Sequence, residues 1–234
     1  MILQKLKIII KQYFRIWWIP ILCYLIPFTI FVIGNVLKSD DIIDLSLLIF
    51  FLNFLGNLIS SIIQVVLRKW YFLIPQIGIS IFLYYCVSIY FTFSPPDYYG
   101  AHKTIPENIE IAKPIEKEPT KTELEKYDLI LSSSFQPGIY NYYTAKKPTE
   151  LGNFYIKAFD INSNDKLSEE RIKTSSKIKV ENIESKIYSG EFTIYEGSWG
   201  DKYAARIELW FEPSNKNKDY KVAERNYLIE GWMR

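Results

Sequence analysis

The sequence predicts a membrane-embedded all-α region of three helices followed by an all-β domain. Three observations support that division. The N-terminal part holds three apolar runs of spanning length, and the C-terminal part holds short β-branched and aromatic runs between turn residues. The charge balance also changes where one texture gives way to the other. A mean hydropathy near zero is therefore the average of two unlike halves.

The apolar runs cover residues 16–37, 42–67 and 71–93. Each reaches the roughly 20 residues needed to cross about 30 Å of hydrocarbon. The first is too long for the core of a signal peptide, and no small-residue cleavage site precedes the second, so all three are expected to be retained. Residues 1–15 form a basic amphipathic segment in which Leu3, Leu6, Ile10 and Phe14 recur opposite the lysines. Such a helix suits the inner leaflet, and its continuity with the first span is left open.

Orientation follows from the flanks of residues 16–93. Lys5, Lys7, Lys11 and Arg15 precede the first span, Arg68 and Lys69 join the second to the third, and Lys38 alone lies in the remaining turn. Basic residues are retained on the cytoplasmic side, which predicts a multi-pass protein of the inner membrane with a cytoplasmic N-terminus. Three crossings then place the C-terminal domain outside. Trp17, Trp18, Trp70, Tyr71 and Tyr90 fall at the ends of the spans, as interfacial aromatics do.

Within the second run, Ser46, Asn53, Asn57, Ser60 and Gln64 fall at steps that put them on one helical face. Amides facing hydrocarbon without partners cost several kcal/mol, so this stripe is expected to face other helices or a second copy of the chain. The alternative is a polar path for an ion or small solute. No Asp, Glu, Lys or Arg occupies the centre of a span, which weighs against coupled transport.

Residues 94–126 carry five prolines among many Lys and Glu side chains and are expected to form an extended spacer. Residues 127–234 read as a soluble β domain. Its expected strands are 127–133, 139–144, 154–161, 187–195, 203–211 and 223–231, with 177–180 as a further one and a short helix at 167–175. Alternation is plain where Phe154, Ile156 and Ala158 oppose Tyr155, Lys157 and Phe159. Strands of this length and spacing predict an antiparallel β-sandwich, with a small β-barrel as the alternative.

Composition narrows the chemistry. Up to Phe93 seven basic residues face three acidic ones, and beyond it 21 basic residues are interspersed with 23 acidic ones. No basic face is offered to nucleic acid. Cys23 and Cys86 lie in the apolar runs, and the single histidine, His102, stands alone in the Pro-rich stretch, where it reads as a solvated side chain. The β domain thus has no nucleophile–base pair, no catalytic residue is assigned, and no cofactor or metal is expected. Asp160, Asn162 and Asn164 match the start of a calcium loop, but Asp165 stands where glycine is needed and Arg171 where glutamate is needed. Trp199, on a glycine-flanked turn, is a possible exposed binding aromatic for a sugar or a partner protein; the competing expectation is an indole that covers the end of the β domain.

The segments FTIYEGSWGDKYAARIELWFEP (192–213) and AERNYLIEGWMR (223–234), with GIYNYY and NFYIKAFDI before them, resemble the ending of a group of uncharacterised bacterial membrane proteins. That resemblance implies a bacterial protein with N-terminal helices and one C-terminal β domain, and it assigns no residue a role. The expected function is non-enzymatic: a membrane-anchored β domain that binds or organises a protein or envelope partner. Its expected contacts are the lipid bilayer and, through the helices, a possible homo-oligomer. The alternatives are a small channel or transport subunit that uses the stripe, and a membrane effector with a cytosolic ligand-sensing domain.

Overall fold

The computed structural model describes residues 2–93, 95–215 and 217–232. Outside it lie Met1, Ser94, Lys216, Met233, Arg234 and the side chains of Ile2, Leu3 and Leu6, and with them the first residue of the expected linker and part of the expected amphipathic face. The chain divides into two compact units, Met1–Pro96 and Asp97–Arg234.

The first unit is helical: α1 (Ile2–Arg15), α2 (Ile19–Leu22), α3 (Leu25–Leu37), α4 (Asp40–Val66), a 3₁₀ turn (Trp70–Phe72) and α5 (Leu73–Phe93). Three stretches, Ile19–Leu37, Asp40–Val66 and Trp70–Phe93, are long and apolar enough to cross a membrane. The expected first run is not one smooth helix, and its prolines explain the breaks. An interior proline lacks the N–H donor, and its ring crowds the carbonyl four residues back. Four residues before Pro20 is Ile16, where the chain bends between α1 and α2. Four before Pro27 is Cys23, where α2 ends and the Tyr24 N–H donates to the Ile21 carbonyl at 3.2 Å. Four before Pro75 is Tyr71, inside the 3₁₀ turn.

A tight turn joins α3 to α4. Lys38 adopts a left-handed conformation (φ 50°) and the Ser39 N–H donates to the Gly34 carbonyl at 3.0 Å. Asp40 and Asp41 then occupy the first turn of α4, where negative charge suits the helix dipole. On the outer side of α4, Phe51, Leu52, Leu55, Ile59 and Ile62 are exposed, as lipid-facing side chains are.

The second unit contains α6 (Lys121–Lys126), β1 (Ile130–Ser133), β2 (Ile139–Thr144), β3 (Gly152–Asp160), β4 (Lys166–Leu167), α7 (Glu169–Ser175), β5 (Ile178–Val180), β6 (Tyr188–Thr193), β7 (Tyr203–Pro213) and β8 (Tyr220–Ile229). One antiparallel sheet has the order β1-β2-β6. The other runs β4-β3-β7-β8, with β5 also paired to β3. Leu131, Tyr142 and Phe192 of the first sheet share a buried core with Phe154, Ile156, Ile207 and Leu209 of the second, and Ile172 of α7 joins it. Among the described residues neither sheet closes on itself.

The stretch expected to be a spacer is largely part of this domain, and its backbone shows why. The Ala112 N–H donates to the Asn226 carbonyl at 2.9 Å, and the Leu228 N–H donates to the Ala112 carbonyl at 2.8 Å, so the segment lies along the outer strand β8. Three residues later the Ile115 N–H donates to the Leu131 carbonyl and the Ser133 N–H to the Ile115 carbonyl, both at 2.9 Å, so it also lies along β1. One strap thus bridges to one edge strand of each sheet, β8 and β1. Next, Thr120 and Glu123 form a capping box on α6. Leu124 is buried in a small cluster with Ile130 and Tyr143.

Candidate functional site

The stripe on α4 faces the other helices of its own unit. Ser46, Asn53, Asn57, Ser60 and Gln64 are all buried. The Ser46 hydroxyl donates to the Pro27 carbonyl at 2.8 Å. Asn53 Nδ2 donates to the Pro20 carbonyl at 3.0 Å, while Asn53 Oδ1 accepts from the Tyr13 hydroxyl at 2.8 Å. Ser60 Oγ donates to the Phe14 carbonyl at 3.2 Å and Gln64 Nε2 to the Arg15 carbonyl at 2.9 Å. Asn57 forms the centre: Gln76 Nε2 donates to its Oδ1 at 2.7 Å, and its Nδ2 donates to the Gln76 carbonyl at 3.2 Å and to the Ser80 hydroxyl.

Three of these acceptors, the Phe14, Arg15 and Pro20 carbonyls, have a common origin. Phe14 and Arg15 end α1, whose last carbonyls have no intrahelical donor. The Pro20 carbonyl is left by the Tyr24 N–H, which turns to Ile21 instead. The stripe therefore supplies donors to carbonyls that helix ends and breaks expose, in a setting where each unmet group costs several kcal/mol. Gly56 belongs to the same contact, since a Cβ there would stand 2.5 Å from the Tyr13 hydroxyl oxygen.

Gln76, Ser80 and Tyr13 escape the sequence reading. Gln76 and Ser80 do carry a signal, a four-residue step on one face of the third run. Tyr13 carries none, because its partner is 40 residues away. Among the described residues, three buried side-chain atoms lack a hydrogen-bond partner: the Tyr24 hydroxyl, Gln64 Oε1 and Gln76 Oε1. Beside Tyr24, an almost wholly apolar cleft of about 320 Å³ opens between α3, α4 and α5, lined by Phe31, Phe50, Cys86 and Tyr90.

In the β domain, the calcium-like run is a turn that anchors the strap. Asp160 is fully buried. Its Oδ1 accepts from the Asn162 N–H at 2.7 Å and the Ser163 N–H at 3.1 Å. Its Oδ2 accepts from the Tyr99 hydroxyl at 3.1 Å and pairs with Lys103 Nζ at 2.9 Å. Burial alone would raise the Asp160 pKa, but the Lys103 bond and the two backbone donors outweigh it and hold the carboxyl below its ordinary value. Lys103 is held above its ordinary value, its own burial being outweighed by the carboxylate.

Because the folded Asp160 pKa is depressed, its contribution is present above the ordinary aspartate value of about 3.9 and is lost as pH falls from there through the folded value. Asp160→Asn is expected to cost on the order of 3 kcal/mol at neutral pH, as loss of one partner from a buried pair does. The check is thermal unfolding of both proteins at pH 7 and pH 3, where the gap between them should shrink.

The outer face of the second sheet carries a mixed group of charged and aromatic side chains. Lys157 Nζ sits 3.5 Å from the centre of the Trp210 ring, and the Tyr155 hydroxyl donates to Asp219 at 2.8 Å. Buried Glu208 accepts from Trp210 Nε1 at 2.8 Å and pairs with Arg206 at 3.0 Å. Among the described residues no three His, Cys, Asp or Glu side chains converge as a metal site would require. His102 is exposed.

Trp199 is 42% exposed. Its turn is fixed by Gly197 (φ 96°) and Gly200 (φ 86°), by the Ser198 hydroxyl donating to the Asp97 carbonyl at 2.5 Å, and by the Gly200 N–H donating to Glu230 at 2.6 Å.

Comparison with protein-family profiles finds no matching family, and comparison with curated proteins finds no match. Among solved structures, a crystal structure provisionally described as a lipoprotein from Bacillus anthracis is similar over 56% of this chain and 99% of its own, at 10% identity and a TM-score of 0.31.

Proposed function

We propose that this chain is a non-enzymatic protein of the bacterial inner membrane, in which three helices anchor an extracytoplasmic β domain that binds or organises a protein or envelope partner. The observation that carries the reading is the engagement of the α4 stripe. The polar side chains that would have to line a solute path donate instead to the protein's own carbonyls. The helical unit then serves as an anchor, and recognition falls to the β domain. A homo-oligomer would form through the apolar outer faces, since the stripe points inward.

Two antiparallel sheets around a shared core support a sandwich arrangement for that domain. The similarity of its ending to bacterial membrane proteins supports the setting. Six of the seven basic residues that flank the spans lie on the side assigned to the cytoplasm.

Alkaline phosphatase and green fluorescent protein fused in turn to the C-terminus test the orientation. The phosphatase fusion is expected to be active and the fluorescent fusion dark. The reverse pattern would put the β domain in the cytosol and replace this reading with that of a ligand sensor acting on its helices.

A further inference from the structure

One end of the β domain gathers aromatic side chains that the core does not use. The turn between β1 and β2 presents Phe135, 80% exposed, and the turn before β7 presents Trp199, 42% exposed. Trp232, which follows β8, lies between these turns. Trp232 Nε1 donates to Gln136 Oε1 at 2.9 Å, the Trp232 N–H donates to the Ile194 carbonyl at 2.7 Å, and the Tyr195 and Trp232 rings meet edge to face at 5.7 Å. The approach is close: a Cβ on Gly138 would lie 2.2 Å from the Trp232 nitrogen. Phe135 and Trp199 are thus presented on a stiff base.

The same end receives the chain from the membrane. Ser198, next to Trp199, donates to the carbonyl of Asp97, the first residue of the second unit. Asp97 follows Phe93, the end of the third candidate span, by four residues. Contour length alone keeps it within about 14 Å of that point, at no more than about 3.6 Å per residue. The headgroup layer on each side of the hydrocarbon is roughly 5–8 Å thick. A turn tied to Asp97 therefore cannot stand far from the lipid surface. The ionisable groups of this end include Glu196, Asp201, Glu230, Lys103, Arg171 and Lys202, a mixed set with no basic excess.

From these observations we infer that Phe135 and Trp199 form a second membrane contact: an aromatic foot by which the β domain rests in the interfacial layer of the bilayer its own helices cross. The chemistry needs no charge attraction: the amphipathic Trp199 indole settles at headgroup depth, and the apolar Phe135 ring leaves water beside it. The contact applies on whichever side of the membrane the domain lies, so it stands or falls separately from the orientation proposed above.

The test uses the full chain with Cys23→Ala and Cys86→Ala, reconstituted in phosphatidylcholine vesicles, with a nitroxide label attached through Phe135→Cys, Trp199→Cys or Asn215→Cys in turn. Asn215 is exposed at the opposite end of β7 and serves as the reference. Labels at 135 and 199 should be several-fold more accessible to oxygen than to a water-soluble nickel chelate, the label at 215 should show the opposite ratio, and raising the salt should change neither. If the labels at 135 and 199 match the one at 215, the foot is in water and the inference fails. Shielding from both reagents would mean a protein contact and would overturn it equally.

Discussion

A chain that begins at Asp97 is expected to unfold in one cooperative transition and stay soluble, whereas one that begins at Glu123 loses most of its stability and aggregates. The shorter start agrees with the sequence reading, in which residues 94–126 are a spacer. The contacts argue otherwise. Truncation at Glu123 removes Tyr99 and Lys103 from the buried Asp160 carboxylate, and loss of a partner from such a site costs about 3–5 kcal/mol. It also removes the four backbone hydrogen bonds made by Ala112 and Ile115, each contributing about 0.5–1.5 kcal/mol. Together these approach the whole stability of a typical domain, about 5–15 kcal/mol. The truncation further uncovers the edges of β1 and β8, which then offer unpaired backbone to other copies. Urea unfolding midpoints and soluble yields of the two proteins decide the matter, and equal midpoints would return residues 97–122 to the role of a spacer.

Replacing Asn53, Asn57 and Gln64 together by Leu is expected to unfold the helical unit in detergent far more readily than the parent protein. Each hydrogen bond lost inside a membrane is worth on the order of 0.6–2 kcal/mol, so three positions amount to about 2–6 kcal/mol. The loss is not confined to the pairs themselves. Gln64→Leu and Asn53→Leu would leave the Arg15 and Pro20 carbonyls without their amide donors, and Asn57→Leu would strand the Gln76 amide. Asn57 should be the most sensitive single position, because it links α4 to both Gln76 and Ser80 of α5. Denaturation in mixed micelles reads the effect, and ion flux into liposomes reads the rival. Conduction by the parent protein, abolished by the triple variant with its fold intact, would overturn the anchor reading and install a channel.

The three candidate spans are legible because crossing a bilayer needs a set length and composition, and both can be read from single residues in order. Strands β2, β3 and β7 are legible for a similar reason, since alternation along a strand records which face is buried. The helix breaks at Ile16 and Cys23 were in principle readable from Pro20 and Pro27, whose effect falls four residues upstream. A run of apolar residues hides them, because hydropathy is blind to a missing N–H.

For the stripe, the sequence by itself determined that Ser46, Asn53, Asn57, Ser60 and Gln64 share a face and that this face needs partners. It did not name the partners. Tertiary structure decided that they are the carbonyls of Phe14, Arg15, Pro20 and Pro27 and the amide of Gln76, groups 19 to 50 residues away along the chain. The strap shows the same division more sharply. Its prolines and mixed charge read locally as an unfolded spacer, since it has no apolar face of its own. The donors and acceptors that hold it belong to β1, β8 and Asp160, and only folding brings those within reach.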